Sequence, residues 1–194
     1  MSKRIWGLTG LIILSLVISG CWDYTEYENM AQISGLGFDY NVQTQESTVT
    51  IQYPLTKRGK GGSSMPESSA AGIQWVVNSA TDKTLIGTFA KLQTVVPKRL
   101  FFGYVRNIVV GEEAAKYQMM EIIDLFDRTP VMHSSANMTI AAGQAEDIIK
   151  TVDPAKALSS AEDLHNLIKF EDRTGAAYSV SLDDFKEMLM LIIV

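Results

Sequence analysis

One cysteine, two histidines and five prolines in 194 residues exclude several kinds of protein. A single thiol cannot close an internal disulfide, so a small stapled scaffold is ruled out. Fourteen Gly and five Pro, without a triplet period, exclude a collagen-like chain. The 17 Lys and Arg are outnumbered by 22 Asp and Glu, giving a formal charge of -5. No long basic run supplies the phosphate-neutralising surface that duplex binding needs, so nucleic acid is not an expected partner. What the chain does have is 46% apolar residues, including 7 Phe, 7 Tyr and 3 Trp. That is enough bulk for one sizeable core, and the length fits one domain with room for part of a second.

The N-terminus narrows the class. Lys3 and Arg4 form a short basic region, followed by an uncharged, largely apolar stretch from Ile5 to Ile18. As a helix at about 1.5 Å per residue it would cover only about 21 Å, short of the roughly 30 Å hydrocarbon layer, so it reads as a secretory leader. It ends in Ile18-Ser19-Gly20-Cys21, which resembles the bacterial lipobox. Such a site needs a branched residue, two small residues that fit a peptidase cleft, and a thiol to receive the lipid. The only cysteine of the chain stands there, so Cys21 is the expected lipidation site. Residues 1–20 are the expected signal peptide and residues 21–194 the exported domain. Removing Lys3 and Arg4 with the leader takes the formal charge from -5 to -7. Two acyl chains on Cys21 would hold the domain at a bilayer without a transmembrane helix.

Along the exported part, Ile33 to Tyr40 and Ser47 to Tyr53 alternate in polarity and read as a β-hairpin. Pro54 to Gly72 carries the Gly/Ser-rich, locally basic run Lys57 to Ser64 and reads as a loop. Ile73 to Asn78 is an expected third strand. Thr81 or Asp82 is the expected cap of a helix with Leu85, Phe89 and Leu92 on one face. Leu100 to Val110 reads as a central strand buried on both sides. A helix is expected from Glu112, with Ala115, Met119, Ile122, Ile123 and Phe126 buried, stopping at Pro130. Asn137 to Ala142 is a further strand and Gln144 to Lys150 a short helix. Ser160 with Asp163, and Ser181 with Asp184, are spaced like capping boxes before two apolar stripes, Leu164-Leu167-Ile168 and Phe185-Met188-Leu189-Ile192. The expected class is α+β, a mixed sheet with packed helices. The chain ends in mid-stripe at Met190 to Val194 with no C-cap, so a continuation is expected.

Catalytic constellations are poorly represented. His133 and His165 have neither His-Glu-x-x-His spacing nor a thiolate to share a metal, so no metal site is expected. Gly59-Lys60 is followed by Gly61, and Pro54 stands where a phosphate loop needs its first Gly. Gly35-Leu36-Gly37 lacks the third Gly of a dinucleotide turn, and close backbone packing explains it better. There is no Gly-x-Ser-x-Gly elbow, and Glu112/Glu113, Glu171/Asp172 and Asp183/Asp184 are adjacent pairs that diverge on a helix. No catalytic residue and no cofactor are expected.

Gly20-Cys21-Trp22-Asp23-x-x-Glu26, continued by Ala31-Gln32-Ile33-Ser34-Gly35-Leu36-Gly37-Phe38-Asp39, resembles the mature start of the Ger(x)C family. These are the lipoprotein C subunits of spore-germination nutrient receptors. Val105 to Val110 running into Gly111-Glu112-Glu113-Ala114 is similar to that family's central strand and turn, and Ala142-Gly143-Gln144-Ala145 resembles a later small-residue turn. Thr129-Pro130-Val131-Met132 carries less charge than the family usually has, and family members continue through a further α+β region past Val194. The resemblance therefore implies the N-terminal domain of a multidomain lipoprotein, truncated here. It implies Cys21 as the lipid site, with Trp22 and Asp23 as the start of the exposed domain. It also implies a non-catalytic subunit on the outer face of the spore inner membrane, assembled with integral membrane A and B subunits. The competing expectation is a substrate-binding lipoprotein of an importer.

Overall fold

The computed structural model describes residues 26–56, 73–129, 135–151, 160–174 and 180–193. Cys21, Trp22, Asp23, the basic run Lys57 to Ser64, Pro130 and His133 lie outside the described residues, as do the side chains of Ser160, Glu171, Asp172 and Ile192. Alternating polarity builds the expected hairpin, β2 (Gly35–Asn41) antiparallel to β3 (Glu46–Thr56), with Gly35 opposite Gln52 and Asn41 opposite Glu46. The Asn41 side chain closes the turn by accepting the backbone N–H groups of Gln43 and Thr44 at 2.9 and 3.1 Å. β4 (Ile73–Asp82) runs antiparallel to β3. On the other side of β2 lie β6 (Asn107–Gly111) and β7 (Asn137–Ala141), both parallel to it, then β8 (Val180–Ser181), antiparallel. The sheet order is β4-β3-β2-β6-β7-β8, so the expected mixed sheet is what forms.

The strand expected from Leu100 to Val110 is interrupted, and the one expected from Ile33 begins only at Gly35. Residues ahead of β2 form β1 (Met30–Gln32), which pairs in parallel with β5 (Arg99–Phe101). The Ile33 N–H then donates to the Phe101 carbonyl at 2.9 Å, while the Arg106 N–H donates to the Ser34 carbonyl at 3.0 Å. Neighbouring residues on one segment thus pair with residues five apart on the other, and the excess length loops out at residues 102–105. This is an enlarged form of a bulge, two ladders in one line with an excursion between them. Apolar patterning cannot reveal it, because Phe102 and Val105 still turn inward to the core.

The sheet buries both faces. Leu36, Phe38, Val49, Ile51, Ile108 and Val110 point to one side, beneath α1 (Leu85–Val95), α2 (Glu112–Tyr117) and α3 (Met119–Arg128). On the other side Val109 and Ala141 meet Ala145 and Ile149 of α4 (Ala145–Lys150) and Leu164 of α5 (Ser160–Thr174). All five residues of β6 are buried, as expected for a central strand covered on both faces. Each large apolar side chain removed from water contributes about 1.5–3 kcal/mol, so the larger first face supplies most of the burial. α6 (Leu182–Ile193) adds Leu182, Phe185 and Leu189 to that face.

Four local readings need correction. The helix expected from Glu112 onward is two helices, α2 and α3, broken at Gln118 with φ -127 and ψ 7. The Gln118 amide turns inward to a buried hydrogen-bonded pair with the Ser47 hydroxyl, 2.7 Å from Nε2 and 2.9 Å from Oε1. The backbone bends locally to deliver it, while Gln118 and Ile122 still bond four residues back. The cap of α1 is Thr84, whose Oγ1 accepts the Gly87 N–H at 3.0 Å; Asp82 instead pairs with Lys91 at 2.7 Å, and Thr81 bonds Thr48 across β3–β4. Leu167 belongs to no buried stripe, being 58% exposed, and Met188 is likewise exposed. At α6 the spacing rule holds: Ser181 Oγ accepts the Asp184 N–H at 3.1 Å and donates to its carboxylate at 2.7 Å.

Candidate functional site

β2 carries a carboxylate, Asp39, two residues before its end and directly after the apolar run Gly35 to Phe38. Asp39 accepts the backbone N–H of Ala145 at 2.7 Å and of Glu146 at 2.9 Å, the first free donors of α4. The residue before that helix, Gln144, makes no side-chain cap, so a strand 106 positions away supplies one. The site exists because two glycines make room. A Cβ on Gly111 would overlap the Asp39 carboxylate, and Gly143 has φ +115, a backbone form open to glycine. Burial pushes the Asp39 carboxyl above its ordinary value; the two N–H bonds oppose this, while the nearby charges of Glu146 and Asp147 add to it. Glu146 is also committed. It accepts from Ser79 Oγ and pairs with Lys150, both at 2.6 Å, and these contacts hold its carboxyl below its ordinary value. The arrangement fastens a helix to a sheet and leaves neither carboxylate open to act as an acid or base on a ligand.

Gly37 has a related use. A Cβ there would sit 3.2 Å from Ile149 Cγ1 and 3.4 Å from Ala145 Cβ, so the glycine lets α4 lie close on β2. The expectation of close packing for Gly35-Leu36-Gly37 therefore holds at Gly37. His165 Nδ1 lies 3.1 Å from the Asn137 amide nitrogen, within a contact between α5 and β7. Among the described residues no group of three or more His, Cys, Asp or Glu could hold a metal ion.

Open α/β sheets usually take ligands beyond the carboxyl ends of their parallel strands, where neighbouring connections diverge. Here that edge has a groove of about 960 Å³ on the first face, lined by Tyr40, Lys83, Ile86, Gln118, Met120 and Asp124 among others. A smaller groove of about 430 Å³ adjoins it, sharing Ile86 and Leu125. Ile86 and Met120 are exposed, and Asp124 is paired with Arg128 at 2.7 Å. The opposite end of the sheet is built differently. A short 3₁₀ turn, Tyr27–Asn29, precedes β1, and the Tyr27 and Tyr104 hydroxyls hydrogen-bond to one another across to the excursion before β6. Tyr27, Met30, Gln32, Pro54 and Lys98 enclose a cavity of about 520 Å³ beside them. Sequence patterning does not single out either tyrosine, because the pair exists only through the looped-out residues.

With that geometry in view, the class is a mixed-sheet domain in which Asp39 and Glu146 fasten a helix to the sheet, and its relatives are specific. Residues 23–191 match the family described as the spore germination protein N-terminal domain, and the chain belongs to that family. It is 26% identical over 151 residues to the putative spore germination protein YfkR of Bacillus subtilis (strain 168), covering 78% of this chain and 39% of that one. It is 25% identical over 186 residues to spore germination protein KC of the same organism, covering 94% of this chain and 45% of that one. The chain thus spans less than half the length of either relative. No solved structure matches it. Among the described residues no helix is long and apolar enough to cross a membrane.

Proposed function

We propose that this chain is the N-terminal domain of a lipid-anchored, non-catalytic C subunit of a nutrient receptor that triggers spore germination. Residues 1–20 serve as a lipoprotein signal peptide, Cys21 carries the lipid, and residues 21–194 form the domain held on the outer face of the spore inner membrane. Its partners are the integral membrane A and B subunits and, through acylated Cys21, the bilayer. The observation that carries the reading is Ile18-Ser19-Gly20-Cys21 closing the 14-residue apolar stretch Ile5 to Ile18, in a chain of the spore germination family. Anchoring turns association with neighbours into a search within a surface at raised effective concentration, so modest interfaces suffice. A subunit acting by contact also fits carboxylates spent on helix capping and ion pairs.

The test is Cys21→Ala in the full-length gene of a spore former, scored by membrane fractionation, mass spectrometry of the N-terminal peptide and nutrient-triggered germination. The reading requires an acylated, leader-free Cys21 in the parent, with membrane placement and germination both lost in the variant. Normal placement and germination in the variant would refute it.

A further inference from the structure

Resting on the lipid anchor proposed above, we infer that the Tyr27–Tyr104 end of the domain lies against the phospholipid headgroup layer and sets the orientation of the domain on the membrane. Tether length is the first argument. The described fold begins at Glu26, five residues after Cys21, and five extended residues reach at most about 18 Å. The 3₁₀ turn Tyr27–Asn29 follows at once, so this end cannot stand far from the anchored sulfur.

The surface chemistry is the second argument. Tyr27 and Tyr104 are 61% and 49% exposed, and Tyr104 packs against Phe101 with ring centroids 5.8 Å apart. Tyr104 stands on the excursion that interrupts the β5–β6 line, where its ring adds little to the core. Rings with an apolar body and a hydroxyl tip are the side chains favoured between headgroups and acyl chains. Glu28 and Lys98 both line the cavity beside Tyr27, so charges of either sign stand at this end. The contact inferred here rests on the amphipathic rings rather than on one sign of charge. In the same orientation the carboxyl-edge groove, with Tyr40 in its lining and Tyr117 packed on Tyr40, faces away from the membrane. Met30 to Asn41 is eleven residue steps, about 35 Å of strand, between the two ends.

The test uses the lipidated full chain in vesicles of phosphatidylethanolamine and phosphatidylglycerol. Acylation blocks the Cys21 thiol, so Tyr104→Cys offers one site for an environment-sensitive fluorophore, and Tyr117→Cys offers one at the far end. Position 104 is 83 residues from the anchor, so its depth reports domain orientation. The expected result is a blue-shifted emission at 104, quenched several-fold more by brominated lipid than the label at 117. Replacing phosphatidylglycerol with phosphatidylcholine should leave that difference intact. Equal quenching at the two sites overturns the proposal, as does a shift at 104 that needs membrane subunits, which would assign the surface to a protein. Should the 104 variant not fold by circular dichroism, Tyr27→Cys replaces it under the same criteria. Failure of the anchor itself reads out separately, as an unmodified chain that takes a label at Cys21 and does not sediment with vesicles.

Discussion

Asp39 Oδ1 accepts the Ala145 backbone N–H at 2.7 Å, joining β2 to the start of α4 across 106 positions of sequence. Short helices are marginal in water, and a six-residue helix needs tertiary partners to persist. α4 has two, this carboxylate at its first turn and the packing of Ile149 on Gly37 beneath it. Asp39→Ala should therefore destabilise the domain by about 1–3 kcal/mol, the cost of orphaning buried donors. Urea unfolding checks the magnitude, and amide exchange should show the loss concentrated in residues 145–150.

Asp39 and Glu146 should respond to acid with opposite signs. Burial raises the Asp39 pKa above 3.8, so between its unfolded and folded values the native state binds more protons and stability falls as pH rises. Lys150, and then Ser79, lower the Glu146 pKa below 4.5, so its contribution is present above that value and is lost as pH falls through the folded one. In urea titrations from pH 3 to 6, Glu146→Gln should flatten the acid-side loss of stability. Asp39→Asn should remove a term of the opposite slope just above pH 3.8. Equal slopes for the two variants would contradict this assignment.

Gly111 and Asp39 compete for the same space. Gly111→Ala should cost about 2–4 kcal/mol, because the new methyl overlaps the carboxylate and crowds the Gly143 carbonyl at 3.1 Å. Asp39→Ala in that background should cost much less than it does alone, since the cap is already displaced. A double-mutant cycle with a coupling of about 1 kcal/mol or more would establish the shared site, and simple additivity would refute it.

The sequence makes some of this visible and hides the rest. Period-two alternation in Ser47 to Tyr53 and the apolar end of Leu100 to Val110 locate β3 and β6, because burial acts on them directly. Asp39 is conspicuous as a carboxylate in an apolar strand, but its partners are backbone N–H groups, which no pattern of side chains encodes. Gln118 reads as an ordinary polar helix residue; what breaks the helix is Ser47, distant by 71 positions. β8 is two residues long and is recruited by Met138 and Asn137, so it has no period of its own. The exposed Leu167 shows the converse limit, an apolar residue at helical spacing that the described residues leave uncovered.

Capping of α1 offers a position-specific comparison. Thr84→Ala should lower stability by about 1 kcal/mol through loss of the bond to the Gly87 N–H. Thr81→Ala removes only an exposed cross-strand hydroxyl pair with Thr48 and should change stability by less than about 0.5 kcal/mol. Thermal melts of the two variants decide the matter, and a larger effect at Thr81 would return the cap to the position suggested by spacing alone.

Phe38 is where the first face is most sensitive. Its ring meets Phe126 edge-on at 5.8 Å and Phe89 at 6.3 Å, and Phe89 in turn meets Phe102 at 5.4 Å. One side chain of β2 thus ties α3, α1 and the excursion ahead of β6 together. Phe38→Ala should cost about 3–5 kcal/mol, from lost transfer energy and the cavity left between two helices. Against a total of about 5–15 kcal/mol for an ordinary domain, that is enough to leave much of the protein unfolded at raised temperature. Phe38→Leu keeps most of the volume and should cost less, with the edge-to-face contribution of about 0.5–1.5 kcal/mol per ring pair as its main loss. Unfolding curves that place the Leu and Ala variants together would show that ring geometry, rather than filled volume, governs this part of the core.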